Sequence, residues 1–127
     1  MAPRVLFQRS LLDAIPSPWL VGLDPVPFSG TRLPAVADPL VVALAVRSTA
    51  QVTAEDLARL PALRVVATAS SGTDHLDEPA LNAAGVELVT GRGGNAAAVA
   101  DWVEWALGRT FGEPCTASLT GRRVVVV

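Results

Sequence analysis

Three apolar runs in this sequence are each followed at once by polar residues suited to holding an anion. Leu40–Val46 (LVVALAV) leads into Arg47-Ser48-Thr49, Arg64–Ala69 (RVVATA) into Ser70-Ser71-Gly72-Thr73-Asp74-His75, and Val86–Thr90 (VELVT) into Gly91-Arg92-Gly93-Gly94-Asn95. The Arg47 guanidinium offers a planar fork of donors, Ser48 and Ser70 offer hydroxyls, and the Ser71-Gly72 turn offers backbone N–H groups. Together these suit a carboxylate or a phosphate. A plain structural reading stands beside this one, because strand-to-helix turns are polar and glycine-rich in general.

Gly91, Gly93 and Ala96 formally satisfy the dinucleotide fingerprint G-x-G-x-x-[GA] at the opening of a helix. That fingerprint also wants an acidic residue about 20 residues further on, at the end of the next strand. Glu113 falls in a linker-like stretch and Arg122–Val127 carries no acid, so a tight turn that needs glycines is the simpler reading. His75 is the only histidine. As a general base it would need a reachable reacting group and an orienting carboxylate, for which Asp74 and Asp77 are candidates. Both aspartates read more simply as turn and cap residues, with the imidazole bonded locally. One His, one Cys and scattered acids make no metal-ligand set. Trp102 and Trp105 read as packing or subunit-interface residues.

The elements that must position these residues alternate between short β-rich runs and segments of helical period, the pattern of parallel strands joined by crossover helices in an α/β fold. Arg4–Phe7, Trp19–Val26, Leu40–Val46, Arg64–Ala69, Val86–Thr90 and Arg122–Val127 are the expected strands. Thr53 should N-cap a helix running to Leu60, with Glu55 and Asp56 where acids meet its positive end. Asp77 should cap the next helix, Pro79 fits its first turn, and Gly85 suits a left-handed C-terminal position. Asn95 should cap a third helix over 96–108, whose Ala97, Ala98, Val99, Trp102, Val103 and Ala106 make an apolar surface wide enough to be extensively buried. Between residues 8 and 39, six prolines break up regular structure. Residues 110–120 read as a linker.

The chain has 127 residues, 50% apolar and 17% charged, with ten Arg, no Lys and a formal net charge of −2. Disorder is excluded, and nothing in the charge favours nucleic acid or an anionic membrane. Cys115 is the only cysteine, so a disulfide-stapled secreted fold is not expected and a cytoplasmic location is. No apolar run approaches the roughly 20 residues needed to span a bilayer.

The stretches VRS-x-x-x-V from Val46, T-A-x-x-G-T-D-H-x-D from Thr68 and G-x-N-A-x-A-V-A from Gly93 resemble the D-isomer-specific 2-hydroxyacid dehydrogenases, and within them those acting on 4-phosphoerythronate in pyridoxal phosphate biosynthesis. Arg92 and Gly94 stand where the family pattern has Pro and Cys. The resemblance spans about residues 38–109. It implies a flavodoxin-like substrate domain over 1–108, including a crossover helix at about 96–108. It also implies that 109–127 is a linker and the first strand of a missing nucleotide-binding domain. Ser48 and Ser70 align with hydroxyl residues that hold the phosphorylated substrate; Arg47, Ser71 and Gly72 join them on physical grounds. The family's catalytic Arg, Glu and His and its NAD-binding residues would lie beyond Val127. This portion is then expected to be inactive alone, its full-length parent an NAD-dependent homodimer acting on a small phosphorylated hydroxyacid. The alternative is a free-standing flavodoxin-like domain that binds a small anion or a partner protein without turnover.

Overall fold

Val41–Val46 forms the central strand of a five-stranded, wholly parallel sheet. The structure, a computed structural model, describes residues 1–110 and divides into two units, Met1–Arg92 and a second that begins at Gly93. In the first unit the strands are β1 (Arg4–Gln8), β2 (Asp24–Phe28), β3 (Val41–Val46), β4 (Val65–Thr68) and β5 (Glu87–Thr90), in the order β2-β1-β3-β4-β5. This is the flavodoxin-like arrangement, and its strand order reverses between β1 and β3.

The period-2 alternation of these strands separates two faces. Leu6, Leu44, Val46 and Val66 point to one side, where they pack with Leu60, Leu63, Leu76, Leu81 and Val86 from the connecting segments. Helices α2 (Ala54–Ala58) and α3 (Glu78–Ala83) belong to those connections. Val5, Phe7 and Ala45 point to the other side, against Leu11, Leu12 and Ile15 around the short helix α1 (Arg9–Leu12). At the amino edge of the sheet Arg4 bridges Asp24 at 2.9 Å and Asp38 at 3.2 Å. The hydrogen bond with Asp24, then that with Asp38, raises the pKa of its guanidinium above the ordinary value.

The caps expected at Thr53 and Asp77 form as read. Thr53 and Asp56 make a reciprocal capping box at α2, and the Asp77 carboxylate accepts from the Ala80 N–H at 3.0 Å at the start of α3. Gly85 has φ +68°, a left-handed value for which glycine is suited. Other expectations need correction. The strand expected over Trp19–Val26 begins only at Asp24. Pro18 stands at the start of a 3₁₀ turn over Ser17–Leu20, Gly22 turns the chain at φ +84°, and the strand follows at Asp24–Phe28. The helix after Thr53 ends at Ala58, with Arg59 as its C-cap, rather than at Leu60.

The second unit holds helix α4 (Ala96–Thr110), where the Asn95 carbonyl accepts from the Val99 N–H at 3.0 Å. The expected wide burial of this helix is not what the structure has. Trp102 is 64% exposed, Val99, Val103 and Trp105 are exposed as well, and Arg109 lies over the Trp105 ring at 5.2 Å. The apolar period is present, but most of its large apolar residues are exposed. The expected strand Arg122–Val127 and Cys115 lie outside the described residues. Among the described residues no helix is long and apolar enough to cross a membrane.

Candidate functional site

In an open parallel sheet the loops at the carboxyl ends diverge where the strand order reverses, leaving a crevice there. Here that point lies between the ends of β1 and β3, and a buried glutamine closes its floor. Gln8, the last residue of β1, is 4% exposed. Its Oε1 accepts from the Arg47 backbone N–H at 2.9 Å, while its Nε2 donates to Thr49 Oγ1 at 2.9 Å and to the Gly30 carbonyl at 3.0 Å. One side-chain amide thus ties down the loops that follow β2 and β3.

Two isolated parallel bridges continue this lacing, Arg32 with Gln51 and Val52 with Leu76. The Val52 N–H donates to the His75 carbonyl and the Asp77 N–H to the Val52 carbonyl, both at 3.0 Å. The loops after β2, β3 and β4 are therefore joined in sequence along one edge of the sheet.

The expected anion ligands emerge on this edge. Val46 is in register with Thr68, so Ser48 and Ser70 each follow a paired position by the same two steps. Arg47, Ser48, Ser71 and Gly72 are exposed and Ser70 is half-buried. Among the described residues no hydrogen bond or ion pair engages the side chains of Arg47 and Ser48. Ser70 Oγ sits 2.7 Å from Thr68 Oγ1 and donates to the Gly72 carbonyl at 3.0 Å. Thr73 bonds instead to Glu78, which pulls its hydroxyl away toward α3.

His75 is not exposed to act as a base. It is 3% exposed, its Nε2 lies 3.0 Å from Thr68 Oγ1, and its Nδ1 is buried with no hydrogen-bond partner among the described residues. Among the described residues no carboxylate bonds to it: Asp77 is engaged as the cap of α3, and no hydrogen bond joins Asp74 to the ring. The glycine turn after β5 shows equally direct engagement. The Gly91 N–H is shared between the carbonyls of Thr68 and Ser70, each at 3.0 Å, so the first amide of the formal dinucleotide fingerprint is bound within the sheet edge.

Gln8 and Thr68 are buried polar residues at this edge that the sequence reading missed. Gln8 could have been found by extending the first strand by one residue, which puts a polar side chain at the carboxyl end of a buried strand. Thr68 gave no such signal, because a threonine inside RVVATA reads as an ordinary β-former. Replacing Gln8 by Leu leaves the Arg47 N–H and the Gly30 carbonyl without their partner in a part-buried setting. The expected loss is about 1–2 kcal/mol of stability in urea unfolding. A Gln8→Leu chain as stable as the parent would show that the amide does not hold these loops.

Residues 31–121 match the family described as D-isomer specific 2-hydroxyacid dehydrogenase, catalytic domain. The chain belongs to this family. Curated relatives include two proteins named erythronate-4-phosphate dehydrogenase. The one from Legionella pneumophila (strain Lens) is 39% identical over 102 residues, 73% of this chain and 27% of its own length. The one from Cronobacter sakazakii is 41% identical over 98 residues, 77% of this chain and 25% of its own length. The chain thus spans about a quarter of the length of these dehydrogenases. Solved structures share the fold. D-lactate dehydrogenase from Aquifex aeolicus, solved with NAD and lactic acid, superposes with a TM-score of 0.57 at 19% identity, covering 85% of this chain and 36% of that one. D-mandelate dehydrogenase from Rhodotorula graminis gives 0.57 at 22% identity, covering 90% and 42%.

Proposed function

We propose that this chain is the substrate-domain part of an NAD-dependent 2-hydroxyacid dehydrogenase and that the carboxyl edge of its sheet holds a small phosphorylated hydroxyacid, 4-phosphoerythronate. The observation that carries the reading is the convergence of Arg47-Ser48 and Ser70-Ser71-Gly72 on one laced edge, beside the point where the strand order reverses. Arg47 supplies the planar fork for an anionic group, Ser48 and Ser70 supply hydroxyl donors, and the Ser71 and Gly72 amides complete the cradle. The names of the curated relatives support the choice of acid. The full-length parent would oxidise the 2-hydroxyl of this acid in a cytoplasmic route to pyridoxal phosphate, with the hydride acceptor and the catalytic residues held outside this chain. The domains divide as 1–108 and 109–127, the first for substrate and the second leading into the nucleotide-binding part. A homodimeric parent is consistent with the apolar residues exposed along α4, which are the candidate interface.

Calorimetry and a dehydrogenase assay on this chain test the reading. NAD should bind no tighter than about 1 mM, and 4-phosphoerythronate should not be oxidised. Micromolar NAD binding would return the 91–96 turn to the cofactor role and overturn the division of labour. The rival, a free-standing anion- or partner-binding domain, is separated by the gene. The dehydrogenase reading requires the frame to continue past Val127 into G-x-G-x-x-G and later Arg, Glu and His residues.

A further inference from the structure

Three contacts run in a line from His75 to the site edge: His75 Nε2 to Thr68 Oγ1 at 3.0 Å, Thr68 Oγ1 to Ser70 Oγ at 2.7 Å, and Ser70 Oγ to the Gly72 carbonyl at 3.0 Å. The last group cannot donate. Each hydroxyl carries one proton, and a neutral imidazole has one N–H and one bare nitrogen. Only one arrangement makes all three contacts hydrogen bonds. Ser70 gives its proton to Gly72, Thr68 must then give its proton to Ser70, and His75 must give the Nε2 proton to Thr68.

The opposite arrangement, with the proton on Nδ1, reverses the line. Thr68 would donate to His75 and Ser70 to Thr68, leaving two oxygens facing each other without a proton at Gly72. It would also leave an N–H at the buried Nδ1, which has no partner among the described residues. Orphaned buried N–H groups are rarer in proteins than under-satisfied acceptors. Both ends of the line therefore favour the same direction.

Direction matters because of what Ser70 offers outward. With the proton on Nε2, Ser70 accepts from behind and has its own O–H on the outward side. A small rotation transfers that O–H from the Gly72 carbonyl to an anion oxygen, and acceptance from Thr68 strengthens it as a donor. With the proton on Nδ1, Ser70 donates inward and shows an anion only lone pairs. We infer that His75 is a positioning residue for the anion site, its Nε2–H fixing Thr68 so that Ser70 faces the ligand as a hydrogen-bond donor. The inference rests on the reading of Ser70 as an anion ligand. It adds a residue that touches neither substrate nor cofactor.

The single histidine makes a direct test possible. ¹⁵N NMR of the 127-residue chain, at a pH where the imidazole is neutral, resolves the protonated from the bare ring nitrogen without assignment ambiguity. The expected result is Nε2–H, unchanged on titration with inorganic phosphate. An Nδ1–H imidazole overturns the proposal. Phosphate affinity supplies the functional arm. Thr68→Val, which keeps the shape and removes the hydroxyl, should weaken phosphate binding about fivefold to tenfold; Thr68→Ser should stay within about twofold. His75→Gln retains an N–H near the Nε2 position and should bind phosphate better than His75→Leu. Should His75→Leu fail to fold, Thr68→Val and the wild-type spectrum decide. Wild-type affinity in folded Thr68→Val overturns the positioning role even with Nε2–H present. If the wild-type chain does not bind phosphate at all, the anion reading of Ser70 falls, while the ring spectrum still decides the direction of the line.

Discussion

Ser70→Ala is expected to raise the KM of the full-length parent for its phosphorylated hydroxyacid by about 10- to 100-fold, with little change in kcat. A hydrogen bond from a neutral hydroxyl to an anion is worth about 1.5–3 kcal/mol, and each 1.4 kcal/mol is tenfold in affinity. The effect falls on KM because an anionic group gripped equally before and during the reaction contributes uniform binding. Ser48→Ala should act in the same direction. Its hydroxyl has no intramolecular partner among the described residues, so its removal should leave the thermal midpoint unchanged. Ser71→Ala provides the contrast. Ser71 is exposed and is assigned only its backbone N–H, so the variant should bind the acid as the parent does. Unchanged KM values in both Ser48→Ala and Ser70→Ala would remove these hydroxyls from the site. A large effect in Ser71→Ala would mean that the turn presents a side chain rather than an amide.

Local signals were legible where one or two adjacent residues determine the geometry. Thr53 and Asp56 cap α2, Asp77 caps α3 and Gly85 takes a left-handed φ, each for reasons contained within a single turn. The strands β3 and β4 were legible because an apolar run buried in a parallel sheet needs little else. β2 was expected too early, over Trp19–Val26 instead of Asp24–Phe28, and its prolines explain why. Pro25 and Pro27 read as breakers, yet among the described residues β2 is an edge strand with β1 as its only neighbour. The Asp24 N–H donates to the Pro3 carbonyl, so the residues that alternate with the prolines face β1 and the missing N–H groups fall on the open side. The site divides in the same way. Arg47, Ser48 and Ser70 could be found because they follow strands. Gln8 bonds to partners as far as 41 positions away in the chain, and Thr68 bonds to a histidine whose burial no local pattern announces. On α4 the period was readable, but what covers its apolar residues depends on surfaces outside this helix.

Asp56→Ala is expected to cost about 3 kcal/mol, the largest single loss of stability among side chains outside the apolar core. The Asp56 side chain is 2% exposed. One carboxylate oxygen accepts from the Thr53 N–H at 2.8 Å and from the Thr53 hydroxyl at 2.9 Å, and the other accepts from the Arg59 guanidinium. Truncation removes the capping box, worth about 1 kcal/mol, and leaves the half-buried Arg59 without its main partner, with Glu55 at 3.5 Å as its remaining ion pair. Breaking a buried pair on one side is costly because the other charge stays behind. For a unit of this size the melting midpoint should fall by roughly 12–24 °C. Asp56→Asn separates the two contributions. Its amide keeps one acceptor oxygen and places an NH₂ group against either Thr53 or Arg59, so it should lose about half as much. The damage should also reach the site, because Thr53 follows Val52, whose N–H and carbonyl tie the β3 loop to His75 and Asp77. Thermal and urea unfolding of both variants, with phosphate affinity measured well below their midpoints, would check this. An Asp56→Ala chain within about 0.5 kcal/mol of the parent would mean that α2 is held by its apolar contacts alone and that the cap does not anchor the loop.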